Sequence, residues 1–233
     1  MRKILTAAWV VVFSLTGSVA YGQVTPTLTA GTKAMLFTFD GLSFLAADNF
    51  EGGAGFKYFL SGQSALRFGL QFTKASGTEA ANPVAPDTGV DGSEDGTTLG
   101  LSLALERHLT ATRVSPYFGI GAGYSTTSTE AKSTEVGNPP ATQSTVKNLD
   151  GGHTISGTFF QGGSLFEIFG IGGFEFFLTN EVSLAAEYRL AFGRFSQKDE
   201  EITIGTTTTT TQFGNSSLIG IDSSGLFTLA IYF

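Results

Sequence analysis

The chain has 233 residues, of which 41% are hydrophobic, 12% aromatic and only 14% charged, with 31 Gly, 22 Phe and no Cys. This mixture is too apolar for a disordered chain and too poor in charge for an ordinary soluble surface, and the missing cysteine excludes a disulfide framework and a thiolate metal site. A formal charge of −7 is the opposite of the basic footprint of nucleic-acid binders, so no nucleic-acid partner is expected.

Residues 1–22 read as a signal peptide. Arg2 and Lys3 form a short positive region, residues 4–15 an apolar one, and Ser18-Val19-Ala20 or Ala20-Tyr21-Gly22 a small-residue cleavage site. The apolar run is shorter than the roughly 20 residues that a spanning helix needs, and no later run reaches that length. A membrane form of residues 23–233, read as one domain, must therefore cross with strands.

Taken in order, the strands show themselves by alternation. Residues 32–40 put Met35, Phe37 and Phe39 on one face and Ala34, Thr38 and Asp40 on the other. After a connection at 41–50, residues 51–60 set Ala54, Phe56, Tyr58 and Leu60 against Gly53, Gly55 and Lys57. Ser61-Gly62-Gln63 is a tight turn, and Leu66, Phe68, Leu70 and Phe72 then alternate with Ala65, Arg67, Gly69, Gln71 and Thr73. Residues 77–96 carry Pro, Gly and acidic signals of a loop. A fourth strand places Leu99, Leu101, Leu103 and Leu105 opposite Gly100, Ser102, Ala104, Glu106 and His108, and a fifth runs over residues 114–125.

The next stretch, 126–161, is rich in Ser, Thr and Gly and reads as a long surface loop. Residues 164–178 form a sixth strand whose Phe169 and Ile171 break the pattern, as a glycine-associated bulge would. The seventh sets Val182, Leu184, Ala186, Tyr188, Leu190 and Phe192 against Ser183, Ala185, Glu187, Arg189 and Ala191. A last loop spans 197–217, with the threonine run at 206–211 as a flexible or strand-extending segment. The final strand carries Phe227, Leu229, Ile231 and Phe233 on one face.

That closing strand, apolar at every second position and ending on an aromatic residue, resembles the last strand of bacterial outer-membrane β-barrels of the kind formed by the OmpA transmembrane domain and OmpX. The resemblance implies an all-β, eight-stranded antiparallel transmembrane barrel with short periplasmic turns and long extracellular loops. It also implies outer-membrane lipid as surroundings and the barrel assembly machinery as a partner that reads Phe227, Leu229, Ile231 and Phe233. Because no periplasmic domain follows Phe233, tethering to the cell wall is not expected. Two regularities agree with this architecture. Long and short connections alternate, and each good strand opposes a large apolar face to one of small residues with isolated charges.

A barrel of eight strands has room inside for side chains and little else. Lys57, Arg67, Glu106, Glu175, Glu187 and Arg189 fall on the inward face at similar depth, where unpaired charge is costly, so a charge network is expected, with Arg67 and Glu106 as its first pair. Asp91-Gly92-Ser93-Glu94-Asp95-Gly96 begins like a calcium loop, but the position of the bidentate carboxylate is Ser102 on a strand, so the run reads as an acidic solvated loop. Only His108 and His153 could act as a base, and neither belongs to a recognisable catalytic motif. No enzyme, cofactor or metal is expected. The function so read is structural or surface-interacting with the extracellular ligand unspecified, a narrow passive pore being the alternative and a lipid-acting enzyme a remote one.

Overall fold

The computed structural model describes residues 26, 28–40, 52–79, 89–136, 143–156 and 158–233. The signal-peptide reading of 1–22 and the connection at 41–50 lie outside them. Thirteen strands occur among the described residues. Eight of these form a ring: β1 (Lys33–Asp40), β2 (Gly52–Phe59), β3 (Ser64–Glu79), β4 (Gly89–His108), β5 (Val114–Val136), β9 (Gly163–Phe177), β10 (Val182–Gln197) and β13 (Asn215–Tyr232). Each is antiparallel to its neighbours, β5 pairs with β9, and β13 returns to β1, so the sheet closes on itself.

The alternation read from sequence sets the two faces. Leu101 and Ile120 are each 63% exposed and Phe174 61%, while Ala104, Glu106, Ala185 and Glu187 on the opposite parity are buried. A soluble barrel would do the reverse, because water on the outside rewards charge there and apolar bulk within. Phe, Leu and Ile standing outward all round the wall require a hydrocarbon surround, which supplies no hydrogen bonds and is satisfied by a ring with no unpaired edge.

Two clusters fill the interior with apolar bulk that the alternation alone did not promise. At the end with the short turns, Leu28, Leu36, Phe59, Phe177 and Tyr232 pack together. Higher in the barrel, Phe169 and Ile171 join Ala104, Tyr117 and Ala185. The bulge expected at Phe169 and Ile171 is absent: β9 keeps continuous register with both β5 and β10, and both side chains point inward. They fit because Gly119 and Gly121 lie beside them. A Cβ on Gly121 would stand 2.5 Å from the Phe169 ring. The register shift falls instead where Glu187 and Arg189 of β10 meet β13.

The expected loops at 77–96, 126–161 and 197–217 are in large part strand. β3 runs on to Glu79 and β4 begins at Gly89, so Asp91–Gly96 is extended chain, not a calcium-type loop. β5 continues to Val136, and beside it are laid β6 (Gln143–Lys147), β11 (Glu200–Ile204) and β12 (Thr207–Thr211) in the order β5-β6-β11-β12. A separate hairpin of β7 (His153–Ile155) and β8 (Thr158–Phe160) turns back onto β3, β4 and β5. Its Ile155 and Phe160 are buried, and the Phe160 ring occupies the space a Cβ on Gly96 would need.

Candidate functional site

Below the β7–β8 hairpin the lumen holds a cavity of about 460 Å³ lined by Gln71, Thr98, Ser102, Glu167, Arg67 and Arg189, among others. Its floor is a layer of charge. Lys57 Nζ stands 2.8 Å from Glu106 and 3.3 Å from Glu175. Arg67 spans two carboxylates, with Nη1 at 3.1 Å from Glu106 and both terminal nitrogens on Glu187 at 2.7 and 3.1 Å. Tyr117 donates its hydroxyl to Glu187 at 2.8 Å, while Ser183 and Tyr232 both donate to Glu175.

The register explains how these groups meet. Lys57 faces Arg67 directly across β2 and β3, which would be repulsive alone. Arg67 itself faces Ala104, and Glu106 faces Ala65, one small residue on each side. Those alanines leave room for the carboxylate and guanidinium to reach each other diagonally. Every ring strand except β1 contributes a polar group to the layer, and β1 adds Ala34 and Leu36 at that end of the barrel.

Glu106 and Glu175 are 0% exposed, so their charge is held by neighbours in place of water. Lys57 meets Glu106 Oε2 as an ion pair without the directionality of a hydrogen bond. His108, wholly buried between the Phe59 and Tyr117 rings, sits at the bottom of the layer. Its Nδ1 is 2.9 Å from the Ser115 hydroxyl, whose single proton goes to the Thr110 carbonyl, so Nδ1 is the donor. Among the described residues Nε2 has no hydrogen-bond partner, and it stands 3.7 and 3.9 Å from Glu106 and Glu175.

Serine, histidine and carboxylate thus converge, yet not as a hydrolytic triad. A nucleophilic serine must give its proton to the imidazole and reach a substrate carbonyl. Ser115 gives its proton to the backbone and is fully buried with His108.

Of the six residues expected to share the lumen, Lys57, Arg67, Glu106, Glu175 and Glu187 lie in this layer. Arg189 stands above it, paired with Glu167 and stacked 3.8 Å from the Phe169 ring centroid. Sequence reading missed Glu167, Tyr232, Ser115 and Ser183. Sharing the parity of Glu175 in one strand was the available signal for Glu167, and alternation with the outward Ile231 and Phe233 was the signal for Tyr232. Of the closing-strand residues, Phe227, Ile231 and Phe233 are exposed on the outer wall and Leu229 is half-buried beside them. His153 lies in β7.

A closed ring with an even number of strands, an apolar exterior, short connections at one end and long ones at the other is the architecture of bacterial outer-membrane barrels. The chain forms an eight-stranded antiparallel β-barrel with an apolar outer wall. No protein-family model matches it, and no curated protein does. Among solved structures it is similar to CarO of Acinetobacter baumannii, at 9% identity and a TM-score of 0.39 over 88% of this chain and 98% of that one. It is also similar to Neisserial surface protein A (NspA), at 16% identity and a TM-score of 0.27 over 87% of this chain and 96% of that one.

Proposed function

We propose that this barrel has a structural and surface-interaction role, anchoring an external sheet in the outer membrane while its lumen stays closed. The observation that carries the reading is the layer joining Lys57, Arg67, Glu106, Glu175 and Glu187. These groups come from five of the ring strands and bond to each other across the full width of the lumen. Beneath it, Phe59, Phe177 and Tyr232 add an apolar seal. An ion crossing here would have to separate buried partners whose exposed charge costs several kcal/mol, on the order of 3–5 for one broken pair.

The long connections face outward in this reading and the short turns at Ser61, Thr110 and Thr179 face the periplasm, as in the OmpA and OmpX type of barrel. Residues 1–22 serve as export signal, and the strand carrying Phe227, Leu229, Ile231 and Phe233 is the segment offered to the assembly machinery. Purified protein in a planar bilayer tests the reading. Silence under applied voltage is expected. Stable conductance steps would overturn it in favour of a narrow pore, which the cavity above the layer favours as second reading because it already supplies the outer half of a path.

A further inference from the structure

From the external sheet we infer that β12 is a docking edge for β12 of a second copy of this chain, held in a facing membrane. The inference rests on the surface-interaction reading and names its partner.

Among the described residues β12 is bonded on one side only, to β11, and all five of its threonines are exposed. An edge of this kind presents a row of free backbone N–H and C=O groups, and proteins ordinarily guard it with Lys, Pro or a covering segment. The outer stretch of β3 is guarded in both ways: Lys74 is exposed there, and the Ser156 hydroxyl occupies the Ser76 carbonyl. Thr207–Thr211 has neither charge nor proline. β-branched residues with high strand propensity and no gatekeeper make it a template for another strand.

The chemistry selects a strand like itself. Facing hydroxyl pairs are how this chain already joins its strands: Thr203 with Thr208 at 2.9 Å, Thr98 with Thr127 at 2.9 Å and Thr38 with Thr228 at 3.1 Å are all register partners. A second β12 laid antiparallel and centred on Thr209 repeats that pairing, with Thr208 facing Thr210 of the other copy. Charges stay apart in this register. Glu201 shares its row with Thr210, which meets Thr208 and then Thr203 of the second copy. Glu200 shares its row with Thr211, which meets Thr207 and then Ile204. No acid faces an acid, although the chain as a whole is negative.

Geometry then places the second barrel. Identical edges pairing antiparallel are related by a two-fold axis perpendicular to the sheet. β6, β11 and β12 lie successively antiparallel alongside β5, whose inner part is barrel wall. The sheet therefore stands up from the membrane, its perpendicular lies in the membrane plane, and the two-fold turns the second barrel upside down. Such a contact joins two membranes and not two neighbours in one.

The test uses vesicles carrying the full protein with its long connections outward, labelled in two colours, and reads tethering between colours. Wild-type vesicles should tether. Thr208→Lys with Thr210→Lys puts like charges opposite each other across the two-fold, and should reduce tethering to the level of protein-free vesicles. Thr208→Glu with Thr210→Glu should do the same. Mixing the Lys vesicles with the Glu vesicles should restore it, a rescue that general damage or a foreign partner cannot give. Variants are first checked for the heat-dependent gel shift of a folded barrel. Wild-type vesicles that fail to tether, tethering untouched by the Lys variant, or no rescue on mixing would each overturn the inference. Bilayer recordings read the lumen and are indifferent to β12, so a silent barrel that does not tether refutes this inference alone.

Discussion

Removing Arg67 probes the closed lumen most sharply. Arg67→Met keeps most of the side-chain length but deletes the contacts at 2.7 and 3.1 Å to Glu187 and at 3.1 Å to Glu106. Glu187 is left with the Tyr117 hydroxyl, and Glu106 with Lys57. One cation then faces three buried carboxylates, and losing one member of a buried pair costs about 3–5 kcal/mol. Replacing both partners, Arg67→Met with Glu187→Met, removes the excess charge too. Its remaining defects are the Arg67 contact still missing at Glu106, which the single variant shares, and the orphaned Tyr117 hydroxyl, worth about 1–3 kcal/mol, so the double variant should be more stable than Arg67→Met. Urea titration of the protein in phospholipid vesicles, read by the ratio of folded to unfolded gel bands, gives all the values. A single variant within about 0.5 kcal/mol of wild type, the range of an ordinary surface change, would refute the buried layer. So would a double variant costing the sum of the two single ones.

Three further outcomes follow from the same structure. Leu101→Arg, on the outer wall, should destabilise the barrel in vesicles by about 2–4 kcal/mol if it lies near the midplane; on a soluble protein a change at so exposed a leucine would be nearly silent. Tyr117→Phe should cost about 1.5–3 kcal/mol in the same titration, because a buried carboxylate loses a donor. Phe160→Ala should loosen the β7–β8 hairpin, raising hydrogen exchange in β7 and β8, while the gel shift of the barrel stays as in wild type, since Phe160 belongs to the hairpin and rests on the outer stretch of β4 at Gly96, not between ring strands.

The ring was legible because the membrane imposes strict alternation on every strand that crosses it: Leu99 to Leu105 and Val182 to Phe192 could be placed residue by residue. Outside the membrane both faces of a strand are wet, and that signal vanishes. Residues 126–136 therefore read as loop, and the threonine run at 206–211 only as a flexible or strand-extending segment, although Thr and Val favour strands. Phe169 and Ile171 misled for a different reason. Large inward side chains are admitted only where a neighbouring strand is bare, and the bare positions, Gly119 and Gly121, are far away in sequence. Lys57, Arg67, Glu106, Glu175 and Glu187 were placed by parity and depth. The register that joins Arg67 to two carboxylates, and sends Arg189 to Glu167, depends on how far each strand is shifted along its neighbour, which no single strand encodes.

The inversion of the two faces is the claim on which everything else depends, and the absence of native cysteine makes it directly measurable. Single cysteines placed in turn from Leu101 to Leu105 can carry an environment-sensitive probe in vesicles whose lipid tails bear a quencher. Probes at 101, 103 and 105 should be strongly quenched and those at 102 and 104 protected, the pattern of a wall with lipid outside and a filled lumen inside. Equal quenching at all five positions, or the opposite parity, would contradict the account.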